Sequence, residues 1–137
     1  MAGRVCALVC ALIVSAATLF AAPAQAAGPV LHRDVYRYAY GYQLDLTIAG
    51  NNRGRAYAWC AINNAPVYMK IHSCQLLRYG HPGAGTQGGS DWSLRPVAWS
   101  RLISLTCGTS YRVFIRFQGQ DRPIAKAYGT WWKLRCL

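Results

Sequence analysis

Glutamate is missing from this chain, and aspartate occurs four times against 15 lysines and arginines, giving a formal net charge of +11. General acid–base chemistry needs converging groups, and here Asp34, Asp91, Asp121 and His32, His72 and His81 lie scattered over separate segments with no motif to place them. His32-Arg33-Asp34 repeats three letters of the protein-kinase catalytic loop, but the chain lacks the glycine loop and lysine that such chemistry requires. His72 with Lys70 and an arginine could serve a ribonuclease, yet no second histidine or glutamate accompanies them. Close cysteine pairs such as Cys-x-x-Cys are also absent, which excludes the usual zinc spacings and leaves no metal or other cofactor to expect. Outside the N-terminal region no window repeats apolar residues three and four apart, so helices are not expected. There is no internal repeat and no linker-like stretch between two halves. A single domain follows.

What is present begins with an export signal. One charge at Arg4 precedes an uncharged apolar run over residues 5–22, and Ala24-Gln25-Ala26 then supplies the small residues that a signal peptidase reads. Cleavage after Ala26 leaves residues 27–137, with a net charge of +10 and no transmembrane segment. Arginine provides 12 of the 15 cations. Codon bias toward arginine explains Arg over Lys but not the shortage of acids. The mature domain keeps Cys60, Cys74, Cys107 and Cys136, an even count that reads as two disulfides in an oxidising, extracellular compartment. The expected pairing is Cys60 with Cys74 and Cys107 with Cys136, with both members of the second pair on core-facing strand positions. A tight hairpin at Asn64-Ala65 would place Cys60 opposite Met69, so the first pair requires a wider excursion over 61–73.

Period-two alternation recurs between turn clusters. Strands are predicted over 35–48, 55–62, 67–73, 92–98, 101–107, 111–118, 124–128 and 131–136, with a flexible glycine-rich loop over 80–90. In the first, Tyr36, Tyr38, Tyr40 and Tyr42 continue into Leu44, Leu46 and Ile48 and are read as core-facing. The clearest is 111–118, where Tyr111, Val113, Ile115 and Phe117 alternate with Arg112, Phe114, Arg116 and Gln118. Seven or eight such strands predict an all-β, disulfide-bonded β-sandwich, with a small barrel as the alternative.

The outward sides mix cations with rings: Arg55, Tyr57 and Trp59; Tyr68, Lys70 and His72; Arg112, Phe114 and Arg116; Trp131, Lys133 and Arg135. Guanidinium forks suit phosphate, sulfate or carboxylate, while flat rings stack on sugars or bases. Outward arginine stems lying over aromatic strand residues are also ordinary surface packing. Arg55, Trp59, Arg112, Phe114, Arg116, Lys133 and Arg135 are taken as the candidate polyanion-binding set. Within it, Arg112 and Arg116 are read as solvent-facing cations about 7 Å apart along their strand, flanking Phe114.

At the C-terminus, Trp132-Lys133-Leu134-Arg135-Cys136-Leu137 and the spacing back to Cys107 resemble the end of the small secreted α-amylase inhibitors of the tendamistat type. The likeness covers about the last thirty residues. That family presents Trp-Arg-Tyr between its first two cysteines, a triplet missing between Cys60 and Cys74 here. The resemblance implies an extracellular inhibitor as one function class.

Together these readings predict a secreted, monomeric, non-enzymatic protein that binds an anionic extracellular partner, such as a cell-wall polymer, a nucleic acid or an acidic protein surface. The alternatives are an inhibitor of a secreted hydrolase and a toxin or ribonuclease.

Overall fold

The computed structural model describes residues 28–38, 41–50, 54–81 and 87–136. The predicted signal and its cleavage point lie outside them. Among the described residues, ten strands form two sheets: β1 (Val30–Arg37), β2 (Gln43–Gly50), β3 (Arg55–Asn63), β4 (Met69–Arg78), β5 (Gln87–Gly88), β6 (Val97–Trp99), β7 (Ile103–Ser104), β8 (Ser110–Gly119), β9 (Ala125–Tyr128) and β10 (Trp132–Lys133). Sheet I runs β1-β2-β3-β6 with β7 also on β3; sheet II runs β10-β8-β4-β5 with β9 also on β8. Every pairing is antiparallel. The architecture is the predicted disulfide-bonded β-sandwich. The strand count exceeds the expected one because the stretch over 35–48 divides into β1 and β2 and the glycine-rich loop ends in β5.

Alternation builds the core. Leu44, Leu46 and Ile48 of β2 and Cys60 and Ile62 of β3 face Ile71, Cys74 and Leu76 of β4 and Tyr111, Val113 and Ile115 of β8, all fully buried or nearly so. Each such aliphatic side chain contributes about 1.5–3 kcal/mol on leaving water. Buried polar groups are mostly paired: Tyr111 Oη accepts the Thr106 N–H at 2.8 Å, and Ser100 Oγ accepts the Ala58 N–H at 2.9 Å.

Cys60 on β3 and Cys74 on β4 cross the sandwich as a disulfide with Cα atoms 6.0 Å apart. The wide excursion that the pairing required is the step from one sheet to the other. Cys107–Cys136 also forms, with Cα atoms 5.5 Å apart. Its position differs from expectation: both cysteines are exposed, because they lie beyond the strands, where Gly108 N–H donates to Leu134 O and Leu134 N–H to Thr109 O.

The lateral edges of the sandwich are closed. At one, β5 approaches β6 so tightly that a side chain on Gly88 would collide with the Trp99 carbonyl. At the other, Asp34 of β1 accepts the Thr130 N–H at 3.0 Å, and Tyr36 Oη donates to Tyr128 O at 2.9 Å.

The strands predicted over 92–98, 101–107 and 131–136 shrink to the short edge pieces β6, β7 and β10, and two other strand predictions are corrected more deeply. The single strand over 35–48 is a hairpin, β1 and β2, turning where Gly41 takes φ +90° and Tyr38 stacks on Tyr42 with centroids 4.6 Å apart. Tyr36 and Tyr42 pack against the core as expected, Tyr38 is exposed, and Tyr40 lies outside the described residues. The strand that was to end at Ser73 continues to Arg78, because a register shift between Ile71 and Ser73 moves the buried positions onto Cys74 and Leu76.

Candidate polyanion interface

Burial of Tyr111, Val113, Ile115 and Phe117 turns Arg112, Phe114, Arg116 and Gln118 of β8 to the outer side of sheet II. Cross-strand pairing then sets their neighbours. Arg116 lies between Ser73 of β4 and Lys126 of β9, Phe114 between Gln75 and Tyr128, and Arg112 beside Leu77; Lys70 pairs with Gln118, and Lys133 with Ser110. One continuous face results, with no carboxylate on any of its five strands. Like charges placed directly opposite, as Arg116 and Lys126 are, oppose folding rather than favour it.

The rings are packed together. Phe114 and Tyr128 have centroids 4.9 Å apart, and the Arg112 guanidinium carbon sits 4.1 Å from the Tyr128 centroid and 4.4 Å from that of Trp131. Arg112 is therefore half-buried and holds the rings in place, which corrects its reading as a freely solvated cation. Arg116 is exposed as expected. Their separation is also corrected: four residues along β8 amount to about 13 Å, and about 7 Å is the step from either one to Phe114.

The predicted set does not share one surface. Arg55 and Trp59 belong to sheet I, where Trp59 pairs with Trp99, and Tyr57 between them is buried rather than outward. Ala49 stands opposite Tyr57 and is itself buried, so this side of sheet I is covered. Arg135 is exposed just beyond β10. Lys126, Tyr128, Arg78 and Tyr79 join the face or its margin without having been singled out. Lys126 and Tyr128 alternate with Ala125 and Ala127, a period-two signal that was legible. Arg78 lay beyond the predicted strand end.

The titratable groups elsewhere act as ties. His32 Nε2 lies 2.8 Å from Thr130 Oγ1 and 3.1 Å from Asp34 Oδ2, while Thr130 Oγ1 donates to Asp34 Oδ1 at 2.8 Å. A relay that activates a hydroxyl uses the two ring nitrogens for different partners, whereas here one nitrogen faces both. The cluster fastens β1 to the β9–β10 corner. Asp45, nearly buried, is held by Arg33, whose Nε donates to both carboxylate oxygens at 3.0 and 3.1 Å, and it also accepts from Thr47 Oγ1 at 3.0 Å. The hydrogen bond and charge of Asp45 raise the Arg33 pKa above its usual value. His72 Nε2 lies 2.9 Å from Gln118 Oε1. Burial raises the Tyr57 pKa above 10, and its hydroxyl is buried without a hydrogen-bond partner among the described residues. Among the described residues no three His, Cys, Asp or Glu side chains gather as a metal site, and no helix is long and apolar enough to cross a membrane.

No family model, no curated protein and no solved structure matches this chain.

Proposed function

We propose that the mature domain is an exported, non-enzymatic binding protein that engages an anionic polymer through the outer face of sheet II. The observation that carries this reading is a charge separation: the strands of sheet II bear six lysines and arginines and no acid. Unscreened by carboxylates, these cations sum into one positive field that attracts a polyanion and releases its counterions on contact. Phe114 and Tyr128 offer rings to bases or sugars between the charges. The two disulfides fit an oxidising, extracellular-type environment. The test is a titration of the exported protein against duplex DNA and heparin over a range of salt. With the five outward-facing cations on phosphates, log affinity for the duplex falls with log salt at a slope of roughly −4 to −5. Binding that ignores salt, or no binding at low salt, would overturn the proposal.

A further inference from the structure

At one end of this face, two arginines line one depression, and neither pairs with a carboxylate among the described residues. Arg78, the last residue of β4, and Arg112 of β8 line an open hollow of 400 Å³ together with Leu77, Tyr79, His81 and Trp131. The Nε atoms of both arginines are buried and have no hydrogen-bond acceptor among the described residues. Neither side chain takes part in an ion pair among the described residues. Ring contact with Tyr128 and Trp131 positions Arg112 but supplies no acceptor for its N–H groups. The walls are set by local structure. Gly80 at φ +75° turns the chain, His81 N–H donates to Arg78 O, and Tyr79 N–H donates to Ser110 O. Tyr79, mostly exposed, meets Trp131 edge to face with centroids 5.3 Å apart.

Buried donors without acceptors are uncommon in native proteins, and two such donors on neighbouring cations repel each other as well. An anion seated in the hollow offsets that repulsion and offers acceptors to the Nη ends of the guanidinium groups. We infer that this hollow is a seat for a phosphate monoester, carried on a sugar or nucleoside whose ring rests against Trp131 and Tyr79. A phosphate monoester has a charge near −2 and three acceptor oxygens, matching two forked cations. An internal phosphodiester or a carboxylate brings a single charge and leaves one guanidinium uncompensated. The inference rests on the polyanion reading of the same face and adds to it a preference for phosphorylated ends.

The test compares short oligonucleotides that end in phosphate or in hydroxyl, at fixed ionic strength, with glucose 6-phosphate and a nucleoside 5′-monophosphate as competitors. The phosphate end is expected to tighten binding about tenfold. Competition by the nucleotide alone assigns the ring to a nucleoside, and equal competition by both assigns it to any phosphorylated sugar. Arg78→Gln is expected to abolish the end preference. Arg78→Lys, which keeps the charge but loses the fork, should lose most of it too. Equal affinity for the two ends in the unaltered protein would overturn the inference, as would a preference that survives Arg78→Gln. If the salt slope on duplex DNA stays near its expected value while the ends are indistinguishable, only this inference fails. If duplex binding is itself absent, the proposed function fails with it.

Discussion

The two sheets contribute alike to the core and differ on their outer sides. In sheet I the strands carry three cations and two acids, and the chief pair is joined: Asp45 is 4% exposed beneath Arg33 and beside Thr47, and Tyr57 further along the same sheet is 1% exposed. In sheet II the strands carry six cations and no acid, and Arg116 stands directly opposite Lys126. Folding requires only that the inner faces match. Sheet I closes its outer side as a second small packed layer, whereas sheet II leaves its charges open at a cost in repulsion, and the proposed function rests on that difference.

The comparison can be broken first at the bond joining the sheets. Replacing Cys60 and Cys74 together by serine should cost about 3 kcal/mol, the chain-entropy value for a loop of this length. Thermal melts should show a drop of about 10 °C or more. The loss should be shared by both sheets in hydrogen exchange, and protection retained in one sheet alone would show that they fold separately.

A smaller effect separates the outer faces. Arg33→Ala leaves the nearly buried Asp45 carboxylate without its main partner and should cost about 1–3 kcal/mol in denaturant unfolding. Replacing Arg116 and Lys126 together by glutamine should leave stability unchanged or raise it by about 0.5 kcal/mol, since a repulsive pair is removed. Comparable losses in the two variants would erase the distinction drawn between the sheets.

The smallest effect concerns Tyr57. Phenylalanine there removes a buried hydroxyl with no partner among the described residues, so stability at neutral pH should hold or rise slightly. Burial raises the pKa values of Tyr57, Tyr36 and Tyr42. The folded chain therefore retains these protons above pH 10, where the unfolded chain releases them, and stability is lost as pH climbs through the raised values. Tyr57→Phe should lessen that alkaline loss. A steeper loss in the variant would show that the hydroxyl is paired in solution.

Much of the fold was legible because burial imposes alternation. In β8 the contrast between Val113 or Ile115 and Arg112 or Arg116 is complete, and the outward set there lies where the pattern put it. Three features were hidden for definable reasons. Tyrosines at every second position from Tyr36 to Tyr42 disguised a turn, and Gly41 was its only mark. The register shift between Ile71 and Ser73 reversed the parity of β4, so alternation counted from Met69 ran out before Arg78. Outward residues of every strand read alike along the chain, and only the pairing order separates Arg55 and Trp59 on one sheet from Arg112, Phe114, Arg116 and Lys133 on the other.

The central claim is that position, and not net charge, makes sheet II the binding face. Two variants that each lose two positive charges test it directly: Arg116→Gln with Lys126→Gln on sheet II, and Arg37→Gln with Arg55→Gln on sheet I. Salt titrations against the same DNA duplex are compared with the unaltered protein. The sheet II variant should flatten the slope of log affinity against log salt by about 2, and the sheet I variant by less than about 0.5. Equal flattening in both would show that the protein binds through its overall charge, contradicting the assignment of the interface to sheet II.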